Sequence, residues 1–231
     1  MRPARALPVS SAMNQRENRY QAPRTPIEAV PAGPLSRSAA RVFVAWLLGA
    51  SLVRGAALAF QIGYALAAFG AEKHLAGLLA ASVLRTGAAQ VAASACSVAL
   101  AWETHHGLGA QRPLWRTYAL LPFTAPVAAG LMIAVGVGAT TFGYGATPCA
   151  SWQSIRAFAT PGDALFGLVQ ASALAIVLGG LAVLLGPWLS ALRAGLLARI
   201  VVALLATGLI TGAVQAALVV FLSAGDDVGV P

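Results

Sequence analysis

Five long apolar stretches constrain this chain more than any other feature of its sequence. Each contains about 20 or more mostly apolar residues, and at a rise of about 1.5 Å per residue each can cross a hydrocarbon layer roughly 30 Å thick. Only 10% of the residues are charged, and almost none of these lie in the stretches. The sequence therefore predicts an all-α integral membrane bundle of five transmembrane helices, at Val42–Phe69, Leu75–Trp102, Trp115–Ala139, Ala164–Leu185 and Leu196–Leu222.

Basic residues are distributed unevenly over the segments that separate these stretches. Seven of the fifteen Lys and Arg precede the first stretch. Counted on alternate sides of the membrane, the segments hold eleven basic residues against two, with Arg54 and Arg85 inside the stretches. Because Lys and Arg concentrate in cytoplasmic loops, this asymmetry predicts a cytoplasmic N-terminus and an external C-terminus.

The basic charge also bears on partners and on domain organisation. Residues 1–40 are rich in Pro, Ser and Arg and lack helical periodicity, which predicts a disordered cytoplasmic tail before the transmembrane domain at 41–223 and a short external tail at 224–231. The formal net charge of +8 is explained by this basic flank. No recognition motif accompanies the charge, so we expect no nucleic-acid partner.

Carboxylates and histidines are absent from the interior of the stretches, and this absence argues against several functions. The seven carboxylates lie in tails, connections or span ends, so no buried acid is placed to relay protons or bind a coupling cation. The three histidines are also at span ends, which disfavours b-type haem ligation. Neither a P-loop nor a GXSXG element occurs. We therefore expect no enzyme activity, no catalytic residue and no cofactor.

Two arginines and several glutamines interrupt the apolar pattern at depth. An arginine near mid-span costs at least about 2.5 to 3.5 kcal/mol, so it should face protein, water or a headgroup. For Arg54 the sequence favours a place near the interface, because the run from Arg41 is long; for Arg85 it favours an interior site. The glutamines bond across helices or line a cavity: Gln61, Gln90, Gln170 and Gln215.

Two further patterns have ordinary structural interpretations. Glu103, His105 and His106 lack the spacing of a compact zinc motif, so we interpret them as a solvated cap at headgroup level and expect no metal. Gly208 and Gly212 have the small-residue spacing that lets helices approach closely, which favours helix packing and also permits dimerisation.

The order of short motifs between Leu58 and Pro122 resembles a known family. Leu58-Ala59-Phe60-Gln61, Phe69-Gly70-Ala71-Glu72, Leu84-Arg85 and Leu121-Pro122 follow one another as the Leu-Gln element, the FGAE-like turn, the LREL-GP segment and the start of span three do in the MlaE-like permeases. These permeases belong to lipid-transporting ABC systems of the bacterial inner membrane. The five-span layout with an external C-terminus is also similar.

The resemblance implies a multi-pass permease subunit that carries phospholipid or another apolar lipid. It also implies a homodimer or a heterodimer with another permease, a cytoplasmic ATPase subunit and a periplasmic lipid-binding partner. The implied cavity residues are Gln61 and Arg85, and Gln90 is added as a third lipid-binding position because of its depth in span two.

Two departures from the family leave an alternative open. Thr86-Gly87-Ala88-Ala89 replaces the family's Glu-Leu-Gly-Pro, and the connection from Glu103 to Leu114 lacks the segment that should seat on the ATPase. The alternative is a non-catalytic structural or accessory subunit of a larger membrane complex.

Overall fold

The computed structural model describes residues 35–69, 73–108, 114–144 and 161–226, with side chains described except at 61–85, 140–144, 161–164, 219 and 221–226. Most of the described residues are helical, and none of them forms a strand. The helices are α1 (Arg37–Phe69), α2 (Lys73–His105), α3 (Trp115–Tyr118), α4 (Leu121–Tyr144), α5 (Pro161–Ala191) and α6 (Leu196–Asp226).

Four of these helices contain a segment long and apolar enough to cross a membrane: Arg37–Phe60, Leu121–Ala139, Leu165–Ala191 and Leu196–Leu218. Large apolar side chains point outward from them, and Phe123, Ile176 and Leu209 are each 76% exposed. Exposure of such an apolar surface to water is unfavourable, whereas acyl chains cover it in a bilayer. The prediction of an all-helical, multi-pass membrane protein is confirmed.

Helix α2 lies at the centre of the bundle, where it packs against α1, α4, α5 and α6. Its side chains between Ala88 and Ala101 are mostly small and buried, which lets the neighbouring helices approach closely. It corresponds to the predicted span Leu75–Trp102, yet it is not among the four spanning segments found in the described residues. The side chains of α2 are described only from Thr86 onward, and this part contains several polar residues that a helix surrounded by protein tolerates: Gln90, Ser94, Ser97 and Glu103.

Glycine provides the closest approach between α1 and α4. A Cβ atom added at Gly55 would lie 2.7 Å from Cβ of Val135 and 3.0 Å from the carbonyl oxygen of Met132. By contrast, a Cβ at Gly208 or Gly212 would meet no atom within 4 Å. The packing predicted for Gly208 and Gly212 is therefore absent among the described residues, and Gly55 supplies a close helix contact instead.

The end of the bundle at which α1 and α6 begin and α2 and α5 end is called here the Arg199 end. Ser36 caps α1 there: its Oγ accepts the N–H of Ala39 at 3.1 Å, and its own N–H donates to Oε1 of Glu103 at 3.1 Å. These bonds use donors that a helix start otherwise leaves unpaired. They explain why α1 begins at Arg37, ahead of the predicted span start at Val42.

Helix α2 ends at the same level in a Schellman motif. Gly107 has φ 71°, and the N–H of Leu108 donates to the carbonyl oxygen of Glu103 at 2.9 Å. Because glycine adopts positive φ without a steric penalty, Gly107 stops the helix directly after the two histidines.

Several predictions lie outside the described residues. They concern the N-terminal tail to residue 34, the turn at Gly70–Glu72 and the part of the external tail after Asp226. They stay predictions.

Candidate functional site

A groove of about 950 Å³ lies between α1 and α6, with α2 as its floor. It is called here the α1–α6 groove. Helices α1 and α6 each pack on α2, so the gap between them opens sideways, toward the lipid that surrounds a spanning helix. The lining residues are Val42, Ala45, Trp46, Gly49, Ala50, Val53 and Arg54 of α1, Gln90, Val91 and Ser94 of α2, and Leu204, Thr207, Gly208 and Thr211 of α6.

Small residues keep the groove open. Gly49 lies on one wall and Gly208 on the other, and a Cβ added at either position would meet no atom within 4 Å. Ala45 and Ala50 extend the wall of α1 with short side chains. No side chain at these positions reaches across the gap, which leaves room for a chain-like apolar ligand.

A chain of polar side chains joins the three helices at the groove. Nη2 of Arg54 donates to Oε1 of Gln90 at 2.7 Å, and Nε2 of Gln90 donates to Oε1 of Gln215 at 3.3 Å. Nε2 of Gln215 is buried with no hydrogen-bond partner in the described part of the chain. The Gln90 amide therefore has both of its ends engaged and is held in one orientation.

Arg54 is the charged group of the groove. It lies seventeen residues after Arg37, about 25 Å along an α-helix, and its side chain is exposed to the groove. Among the described residues its polar partner is Gln90, and no carboxylate pairs with it. The place near the interface that the sequence favours for Arg54 stays a prediction.

A second hydrogen bond strengthens the seam between α1 and α2. Nε1 of Trp46 donates to Oγ of Ser94 at 3.0 Å, and that hydroxyl donates to the carbonyl oxygen of Val91 at 2.8 Å. The indole therefore lies against the groove floor, with its polar atom satisfied and its apolar ring available to a ligand.

Buried hydroxyl groups lie behind the groove. Oγ of Ser97 contacts Oη of Tyr118 at 3.0 Å and also hydrogen-bonds to Oγ1 of Thr207. Oγ1 of Thr211 donates to the carbonyl oxygen of Thr207 at 2.7 Å. These bonds join α2, α3 and α6, so the floor and one wall of the groove are held at a fixed separation.

The structure describes the side chain of one of the three predicted lipid-binding residues. Gln90 lies in the groove at the centre of the polar chain. Gln61 belongs to α1 and Arg85 to α2, but their side chains lie outside the described residues, so their lipid-binding roles stay predictions. Sequence reasoning missed Trp46 and did not place Arg54 in a groove. The available signal was the helical spacing that places Val42, Trp46, Ala50 and Arg54 on one face of α1.

At the end of α2 the structure differs from the expected solvated cap at one residue. Glu103 is only 1% exposed and accepts the N–H of Ser36, whereas His105 and His106 are exposed. The His106 ring stacks on Trp102 with centroids 4.6 Å apart. In the part of the chain that is described, no group of three potential metal-binding side chains occurs. Glu103 thus belongs to the helix-capping structure rather than to a solvated surface.

Comparison of the chain with protein-family models, with curated proteins and with solved structures gave no match.

Proposed function

We propose that this chain is the membrane-spanning permease subunit of an ABC-type lipid-transport complex, and that lipid enters the α1–α6 groove from the bilayer. The observation that carries the proposal is the form of the groove, which opens sideways between two helices, has apolar walls and has Arg54 and Gln90 at one level. An amphiphile needs this combination, because its chains favour apolar walls and its headgroup needs hydrogen-bond donors.

The proposed topology has five crossings, with α2 as the central one. The N-terminus is cytoplasmic and the C-terminus external, in a bacterial inner membrane. Support comes from the eleven-to-two distribution of basic residues and from α2, whose 33 residues are sufficient to cross. Reporter fusions at both termini test this: an N-terminus accessible from outside would contradict it.

The proposed partners follow from the resemblance to MlaE-like permeases. They are a second permease subunit, a cytoplasmic ATPase and a periplasmic lipid-binding protein. In this arrangement the chain binds and conducts lipid, while the ATPase performs the chemistry.

The groove offers a matched pair of variants that tests lipid binding. Gly208 lines the groove and Gly212 does not, yet both are exposed and both have open space where a Cβ would lie. We expect Gly208→Leu to lower the lipid bound per purified chain several-fold, because the new side chain fills the groove. Gly212→Leu should bind as much lipid as wild type. An equal loss of bound lipid in both variants, or no loss in either variant, would contradict the proposal.

Purification of the native complex in mild detergent tests the transport role. A nucleotide-binding subunit together with bound phospholipid is the expected result. A stable assembly without any ATPase would contradict the assignment as an ABC permease.

One observation favours a second candidate, a structural subunit without transport. The connection between α2 and α3 runs only from His106 to Leu114, which is short for a segment that must seat on an ATPase. A structural subunit would tolerate Gly208→Leu without loss of function in the intact complex, whereas a permease would not.

A further inference from the structure

We infer that Arg54 makes the α1–α6 groove selective for lipids whose headgroup carries net negative charge. This inference rests on the proposed lipid-binding function and adds the class of lipid. Arg54 is the specificity-determining residue, and Gln90 positions it.

The guanidinium of Arg54 has unused binding capacity. An arginine carries five N–H donors, and among the described residues Arg54 uses one, from Nη2 to Oε1 of Gln90 at 2.7 Å. The side chain is exposed to the groove, so the remaining donors are open to a ligand. A planar fork of donors matches the two oxygens of a phosphate or carboxylate group.

Among the described residues, the charge of Arg54 also lacks a counter-ion. No acid is among the described residues that line the groove. Glu103 on α2 lies thirteen residues from Gln90, about 20 Å along the helix, and caps α1 instead. A cation next to hydrocarbon attracts an anion strongly because little water screens it. An anionic headgroup therefore complements the groove better than a zwitterionic one, whose own ammonium or choline group would lie near the guanidinium.

The hydrogen-bonded amides keep Arg54 in the groove. Oε1 of Gln90 faces Arg54 because Nε2 of Gln90 is engaged by Gln215 of α6. The polar chain thus spans both walls of the groove at the level of the guanidinium. The apolar wall residues Val42 and Leu204 are available to the acyl chains.

The test measures binding of two fluorescent-tailed lipids to the purified full chain in detergent. Phosphatidylglycerol and phosphatidylcholine with identical acyl chains differ only in the headgroup, which carries net negative charge in the first lipid and is zwitterionic in the second. For wild type we expect phosphatidylglycerol to bind at least about tenfold more tightly than phosphatidylcholine. The reason is the charge-assisted hydrogen bond between Arg54 and the anionic headgroup. Arg54→Gln should abolish that preference, and a circular-dichroism spectrum like that of wild type would show that the variant is folded. Arg54→Lys should keep most of the preference.

Arg41→Gln is the matched control. Arg41 is an exposed arginine of the same helix outside the groove, so its replacement changes the net charge equally and should leave the preference intact. Loss of the preference in Arg41→Gln as well as Arg54→Gln would show a general effect of charge and overturn the inference.

The outcomes distinguish a failure of charge selectivity from a failure of the proposed lipid binding. If wild type binds both lipids equally, Arg54 does not select charge, while lipid binding stands. If wild type binds neither lipid, the proposed function fails. If inorganic phosphate displaces phosphatidylglycerol, the site takes a free anion from water, and the assignment to a lipid headgroup is overturned.

Discussion

Nη1 of Arg199, on α6, donates to the carbonyl oxygen of Thr104, on α2, at 3.0 Å. The same guanidinium donates to the carbonyl oxygens of Leu192 at 2.6 Å and Ala194 at 3.3 Å, just beyond α5. Only 8% of Arg199 is exposed. Because the last carbonyls of a helix lack partners and carry partial negative charge, one buried cation stabilises the ends of α2 and α5 together.

We expect Arg199→Leu to destabilise the bundle by about 2 to 3 kcal/mol, since several buried carbonyls lose a charged donor at once. Thermal unfolding in detergent, followed by circular dichroism, measures the loss. Arg193→Leu is the control, because Arg193 is exposed and lies in the same connection. An equal effect of the two substitutions would show that the carbonyl contacts do not matter.

The contact of α1 with α4 gives a second stability prediction. Gly55→Ala places a Cβ 2.7 Å from Cβ of Val135, so the helices must separate, at a cost of about 1 to 3 kcal/mol. Gly49→Ala on the same helix meets no atom within 4 Å and should be neutral or stabilising by up to about 1 kcal/mol. Thermal unfolding of both variants checks the difference. A Gly55→Ala variant as stable as Gly49→Ala would show that the helices do not pack this closely.

The sequence predicted the helices well because length and apolar content determine a membrane span locally. The predicted third and fifth spans, Trp115–Ala139 and Leu196–Leu222, match the bodies of α4 and α6. The predicted boundaries differ where capping decides the helix start, as at Ser36, since the bond to Glu103 joins residues far apart in the chain.

The site was less predictable, because it depends on which helices are neighbours. Gln90 is recognisable as a polar residue at depth, but its contacts with Arg54 and Gln215 depend on the packing of α1 and α6 around α2. The glycine pattern did not predict packing within the chain, for the same reason. Gly208 and Gly212 have a packing spacing, yet whether another helix lies against them is a tertiary property that spacing does not contain.

The cap of α1 predicts a local change in stability. Ser36→Ala removes the hydroxyl that accepts the N–H of Ala39, and we expect a cost of about 1 kcal/mol. Hydrogen exchange should rise at the first amides of α1, while amides at mid-helix stay protected. Ser36→Gly should cost only a few tenths of that amount, because glycine is itself a tolerated N-cap residue. Equal exchange in wild type and Ser36→Ala would contradict the capping role.

Trp46 provides a direct optical test of groove occupancy. Its indole lines the groove and is 36% exposed, whereas Trp188 is 55% exposed and lies outside the groove. In single-tryptophan variants in detergent, a brominated anionic lipid added in equimolar amount should quench Trp46 more strongly than Trp188. General lipid contact would produce the reverse order, since quenching would then follow exposure. Gly208→Leu should remove the extra quenching of Trp46 and leave Trp188 unchanged, because only the groove is filled.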